Sequence, residues 1–387
     1  MHRFSGPLCL LSILAMACGA PADDAPTTDD SAEVKKMKGV TAEERDGYLH
    51  RAQLWQETDV RSKDLLAGPE GKGAFHFNQD VDCTFVEPTK KDELGGATPK
   101  FQCKVGDEVV KVKYSLGAND NGEIYGEVIA TRLLWALGFG ADRMYPVRVT
   151  CRNCPADPWS AYDGFEPGRT KGGARADRRF EHAVIEQKFE GAKIEADGHE
   201  DQGWGFDELR HAYASEGGAP LAHLDGLKLL AVFMKHADSK HENQRLVCLP
   251  DGVGSDGKCT RPFLMIQDTG ATFGGGAHLF GFQLGTKATA HVEDWKKDVW
   301  KDKGACQGLL RDASNGTLKD PHVSEAGRAW LVDLMTQLSE KQLRDLFTAA
   351  RVLERNETID GRAVTLDDWV KLFQIHVGDI VTAHCRQ

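Results

Sequence analysis

Cysteine count is the tightest constraint on how this chain folds. The 387-residue sequence carries ten. Two of them, Cys9 and Cys18, fall in an N-terminal segment where Arg3 precedes a short apolar run over residues 8–17. That layout marks a targeting peptide with no part in the fold. The others are Cys83, Cys103, Cys151, Cys154, Cys248, Cys259, Cys306 and Cys385. An even number in an exported chain reads as disulfides. Eight cysteines allow about a hundred connectivities, and proximity along the chain selects 83–103, 151–154, 248–259 and 306–385. Cys151-Arg152-Asn153-Cys154 also has the spacing of a redox pair or half a zinc site. No second pair stands at zinc-ribbon spacing. Pro155, Asp157 and Pro158 follow where a redox motif opens a helix, so the structural reading is preferred.

Residues 19–40 contain Asp23, Asp24, Asp29 and Asp30 and no core-forming run, and they read as an acidic disordered tether. The net charge of −11 argues against nucleic acid as a partner. No later stretch is long and apolar enough to span a bilayer. The length suits one large domain or two lobes.

Local patterns set the elements. Residues 41–66 read as helix packed on the outside of a first lobe. Residues 108–114 are β-branched and form a strand, with Lys111 and Lys113 on one face by the period of two. A buried lysine needs a carboxylate, and Glu127 supplies one from a helix over 122–137. That helix is capped by Asn119, Asp120 or Asn121 and stopped by Gly138. Strands follow over 144–149 and 183–189. The insertion between them carries Arg169, Lys171, Arg175, Arg178 and Arg179. These either receive an anionic substrate or, the preferred reading, belong to a solvated segment with interleaved acids. Leu224, Leu227, Leu230, Ala231 and Met234 recur at helical steps over 221–234. An apolar strand over 263–267 ends in Asp268-Thr269-Gly270. Between them lies a turn-rich tip bracketed by Cys248 and Cys259. Capping boxes at Ser339/Gln342 and Thr365/Asp368 begin two late helices.

The stretch between the helix and that strand, His236-Ala237-Asp238-Ser239-Lys240-His241-Glu242-Asn243, resembles the protein-kinase catalytic loop H-R-D-L-x-x-x-N. Asp268-Thr269-Gly270 resembles D-F-G. The helix from Glu127, E-x-x-A-x-R-L-x-x-A-L-G, resembles the αC region of HipA-type kinases. The turn at Gly95 and Gly96, running to Lys100, is similar to their short Gly-Ala-x-x-Lys loop. Together, over roughly residues 94–375, the order of elements resembles the atypical branch of the protein-kinase-like fold, with its HipA-type, phosphoinositide-kinase-like and secreted members.

The resemblance implies an α+β fold of two lobes. An N-lobe of 41–187 would be β-rich with one αC-type helix. A mainly helical C-lobe of 188–387 would meet it near 186–190. It implies ATP and Mg2+ between the lobes, with Asp238 as base, Lys240 steadying the transferring group and His236 orienting the loop by packing and hydrogen bonding. Asn243 and Asp268 would hold the metal, and Gly95 and Gly96 would approach the phosphates. Lys113 paired to Glu127 would grip the phosphates, with Lys111 as the alternative. Ala237 in place of arginine, Thr269 in place of phenylalanine and the short glycine loop depart from the family pattern. Ala15-Met16-Ala17-Cys18 resembles a bacterial lipobox, which implies a lipid anchor at Cys18 in the cell envelope; plain signal cleavage is the alternative.

Three functions follow as expectations. The first is an ATP-dependent phosphotransferase acting on a protein, glycan or small molecule. The second is a pseudokinase-like lipoprotein that binds a nucleotide or partner without turnover, and the third an envelope binding protein of another kind.

Overall fold

A computed structural model describes residues 35–385 apart from 90–93, 95–97, 118–120, 164–171, 200, 213, 275–277, 280–281, 284–289 and 311–315. The fold is mixed α+β, organised about a barrel core and a larger helical core. The leader, Cys18, most of the tether, Gly95 and Gly96 lie outside the described residues.

Helix α1 (Ala42–Arg51) opens on a complete capping box between Thr41 and Glu44. Strands β1 (Asp80–Phe85), β2 (Lys100–Val105) and β3 (Glu108–Ser115) follow, then α2 (Glu123–Ala136), β4 (Gly140–Ala141), β5 (Arg143–Cys154), α3 (Pro158–Asp163) and β6 (Ala176–Gln187). The strands close into a barrel in the order β1-β2-β3-β6-β5, and β1 meets β5 in parallel to seal it. In β1 alternate residues Val81, Cys83 and Phe85 point inward. Asp80 and Asp82 point out onto Arg148, Arg179 and Arg152. Inside, Phe101, Tyr114 and Phe180 pack with ring centres 4.7–5.5 Å apart.

After β6 come β7 (Ala192–Lys193), α4 (Leu221–Phe233), β8 (Gln244–Cys248) and β9 (Pro262–Ile266), with sheet order β4-β9-β8-β7. Helices α5 (Val292–Trp295), α6 (Glu325–Met335), α7 (Glu340–Ala349) and α8 (Leu366–Val381) complete the larger core. Both late capping boxes form, and Trp295 stacks on Trp369 at 5.5 Å.

Helix α2 is buried on nearly every side, its Glu127, Thr131 and Arg132 included, and it packs in the large core rather than standing on the barrel alone. Asn121 accepts from Glu123 N–H and donates to Tyr114 O, tying the helix start to β3. Gly138 ends the helix at φ +88, where a Cβ would lie 2.3 Å from Gln56 O. The segment 41–66 departs from its expected place. Helix stops at Arg51, because residues 53 and 55 bridge to Phe263 and Phe139 and are drawn out straight. Tyr48, Leu49, Leu54 and Leu65 join the large core, and Tyr48 Oη accepts from Cys259 N–H. Residues of α1 and α2 share the large core with the later helices, and Gln342 on α7 donates to Val60 O and Lys63 O at 2.7 and 3.0 Å.

All four disulfides join the cysteines paired by proximity, with Cα separations of 5.1–5.6 Å. Cys151 and Cys154 sit at an irregularity of β5, both buried, which is a structural setting. Disulfides are consistent with an exported chain. Among the described residues no helix is long and apolar enough to cross a membrane.

Candidate functional site

The loop after α4 is built by its backbone. Lys235, at φ +54, ends the helix, and His236 N–H still reaches Ala231 O at 2.9 Å. Ser239 is buried. Its Oγ accepts from the Thr317 and Leu318 N–H groups at 3.1 and 3.0 Å. Gly203, at φ +53, lets two backbones approach, since a Cβ there would lie 1.8 Å from His241 O. The short 3-10 turn His241–Asn243 then leads into β8.

On this frame Asp238 is half-buried, with Lys240 Nζ 3.8 Å from its carboxylate. Asn243 Nδ2 donates to Asp238 O at 2.7 Å, and Asn243 O accepts from Gln267 N–H at 2.9 Å. One residue therefore ties the loop to the end of β9, where Asp268 stands. Burial, then Asp268 across the site, pushes the Asp238 carboxyl up, against the pull of Lys240 and Asn243. His236 packs edge-on to Phe206 and burial pushes its ring down to about 4. Neither ring nitrogen has a hydrogen-bond partner among the described residues. The expected orienting hydrogen bond is thus not found among the described residues, where the ring is held by packing.

Asp268 is exposed at its own side chain and accepts from Gly270 N–H at 3.3 Å. Desolvation by the protein that surrounds this open carboxylate works against its charge, but Lys113, the Gly270 N–H and Lys100 together hold the carboxyl below the usual range.

The opposite wall comes from the barrel and α2. Lys113 is ion-paired to Glu127 and lies 3.4 Å from Glu186. Burial opposes its charge, yet Glu127, Glu186 and Asp268 hold the ammonium well above its ordinary range. Lys111 reaches Glu186 at 2.5 Å rather than Glu127. Of the two lysines on this face, Lys113 is the one in contact with α2. Glu186 also receives Lys188 at 2.5 Å; Lys188 bonds Asp142 at 3.0 Å, and Asp142 pairs with Arg245 on β8. A buried ion chain therefore runs from β3 to the strand that follows Asn243. One helical turn before Glu127, Glu123 accepts from Thr98 Oγ1 and lies over Gly270, where a Cβ would come within 2.7 Å of its side chain.

No protein-family model matches the chain, and no curated protein matches it. Among solved structures it is similar to CtkA, a proinflammatory kinase of Helicobacter pylori, at 10% sequence identity and a TM-score of 0.36, over 79% of this chain and 100% of that one. A likeness of this size assigns no residue and no substrate.

Sequence reading missed Glu186 and Glu123 as parts of this cluster, and it named Lys100 only as the lysine that closes the glycine turn, not as the neighbour of Lys113. For Lys100 a signal existed. Gly106-Asp107 is a two-residue turn between β-branched runs, and counting back from it sets Lys100 opposite Lys113, as the β2–β3 register has it. Glu186 had no local signal, because its place beside Lys111 depends on β3 pairing with a strand beyond a long insertion. Within that insertion Arg175 pairs with Glu87, and the adjoining Arg179 pairs with Asp80 and Glu181, so these cations are spent on neighbouring acids. Arg169 and Lys171 lie outside the described residues.

Proposed function

We propose that the chain is an ATP- and magnesium-dependent phosphotransferase with a two-lobed, kinase-like arrangement. One observation carries the reading. Lys113 and Glu127 from the barrel side and Asp238, Asn243 and Asp268 from the loop side belong to one charge-coupled cluster. Elsewhere on the barrel, acids and bases pair off at the surface. Here an exposed, ionised Asp268 stands near buried lysines.

The donor set suits magnesium, which takes hard oxygen ligands. Asp268 offers a carboxylate kept ionised by its cationic neighbours. Asn243 spends its amide nitrogen on Asp238 O, which turns the amide oxygen the other way. When bound, the metal neutralises charge on the phosphate oxygens. Lys113, held between Glu127 and Glu186, presents its ammonium to the phosphates. Asp238 takes the proton of the attacking hydroxyl, and its raised affinity for a proton makes it a better base than a free aspartate. Lys240, beside it, balances the charge. Catalysis is then mainly positioning and electrostatics. The acceptor is a hydroxyl of a protein, glycan or small molecule, and the chain works outside the cytoplasm, tethered through a lipid on Cys18.

Titration calorimetry with ATP, with and without magnesium, followed by a search for labelled-phosphate transfer to itself and to candidate acceptors, tests this. Metal-dependent binding and transfer are expected. Binding without transfer to any acceptor would favour a silent nucleotide-binding protein.

A further inference from the structure

Two buried guanidinium groups take their hydrogen bonds from distant parts of the chain. Arg132, on α2, is 1% exposed. It donates to Leu65 O and, at 2.6 Å, to Leu66 O. Burial pushes it down to about 10, against Tyr145 and Asp64, which act across space. Gly68, at φ +84, lets the chain close over the guanidinium, since a Cβ there would lie 2.9 Å from Cζ. Arg351, just after α7, is 6% exposed. It donates to Asn78 Oδ1 at 2.9 Å, Glu181 O at 3.1 Å and Val147 O at 3.0 Å. Both carbonyls flank the slip in the β5–β6 register.

Residues 53–78, which serve both cations, visit every part of the fold in turn. Gln53 N–H donates to Pro262 O at 3.0 Å, and Gln53 O accepts from Leu264 N–H at 2.7 Å, both on β9. Trp55 Nε1 donates to Leu137 O, just past α2, at 2.7 Å. Val60 O and Lys63 O accept from Gln342 on α7. Pro69 O accepts from Tyr145 Oη on β5 at 2.9 Å. Leu54, Val60 and Leu65 are fully buried. A buried charge that loses its partners is costly. Lifting this segment would strand Arg132, and parting the barrel from α7 would strand Arg351.

We infer that residues 53–78 are a strap that fixes α2 to the barrel and both to the later helices, with Arg132 as a positioning residue that acts through Glu127. The Lys113–Glu127 pair is then permanently made. In kinases the placing of the equivalent helix is a point of control; here the strap removes its swing. The inference goes beyond the proposed function and does not depend on it.

The test is amide hydrogen exchange on the full disulfide-bonded chain, with and without magnesium plus ATP, and on Gln342→Glu, Arg132→Met and Arg132→Lys. In the parent, α2 should exchange no faster than β3, and ATP should leave their ratio unchanged. Gln342→Glu keeps the cap on Ser339 N–H and removes only the donor to the strap. It should still speed exchange in α2 about tenfold, the loss of two hydrogen bonds, with β3 unchanged. Arg132→Met should speed it further, and Arg132→Lys, which keeps one donor, should recover part. A parent in which α2 exchanges ahead of β3, or slows more than β3 on adding ATP, would overturn the inference. So would a Gln342→Glu chain loosened at residues 58–66 but not in α2. A parent that binds no ATP would sink the proposed function, and the ligand-free comparisons would still decide the strap.

Discussion

The two walls of the candidate site are built on different principles. On the barrel wall, carboxylates and ammonium groups are packed together and most are paired: Lys113 with Glu127 and Glu186, Lys111 and Lys188 with Glu186. On the loop wall the backbone is clamped but the side chains are left open. Asp238 is half-exposed, Asp268 is exposed, and Asn243 uses only its nitrogen. The contrast separates two jobs. The barrel wall holds α2 and β3 in place, and under the proposed function its residues act on stability as well as on ligands. The loop wall is positioned by Ser239, Thr317 and Gly203, so its acidic side chains are free for chemistry.

The largest effect that sharpens this contrast comes from Lys113→Met. It strands Glu127, fully buried, and one side of Glu186. Breaking a buried pair from one side costs about 3–5 kcal/mol, read by chemical denaturation. Lys113→Met combined with Glu127→Gln should recover part of the loss. A single-variant loss below about 1 kcal/mol would break the comparison, since exposed pairs cost no more than that.

Acid gives the next largest effect, and it acts beneath the loop wall. His236 and His376 are buried and neutral, each pushed down to about 4 by burial. The unfolded chain takes up their protons below its ordinary 6.5, whereas the folded chain resists until about 4. Their contribution to stability is full above that ordinary value and is lost as the pH falls through the window between the two. From about pH 7 to about pH 5 the fully buried His236 should account for about 2 kcal/mol. His236→Leu should flatten that slope in denaturation curves; an unchanged slope would place the acid sensitivity elsewhere.

The smallest effect is at the rim of the barrel wall. Thr98→Val removes the hydroxyl that Glu123 accepts from. It should cost about 1 kcal/mol and show as a small drop in melting temperature, with the disulfides intact.

How much of this was legible depended on the range of each interaction. Helix α2 and its Glu127, strand β3 and its two lysines, helix α4, the loop and Asp268 all follow from short-range patterns, and the described elements fall where those patterns put them. The disulfide pairs followed from proximity. What stayed hidden was long-range. The parallel seam of β1 with β5, the seat of Glu186 among three lysines and the packing of residues 41–66 on the later helices each join segments far apart in the chain. That the ring nitrogens of His236 find no hydrogen-bond partner among the described residues illustrates another limit. A motif names the residue type at a position, but the surrounding packing decides which of its atoms find partners.

The separation between the walls and within the loop wall is tested most directly by nucleotide titration and phosphate transfer with Asp238→Ala and Asp268→Ala, after melts confirm that both fold like the parent. A base acts in the transition state, whereas a metal ligand is engaged in the ground state. Asp238→Ala should keep metal-dependent ATP affinity within a few-fold and abolish transfer, while Asp268→Ala should weaken the binding itself. Equal ATP affinity in both variants and the parent, with no transfer by the parent to any acceptor, would contradict the assignment of base and metal ligand.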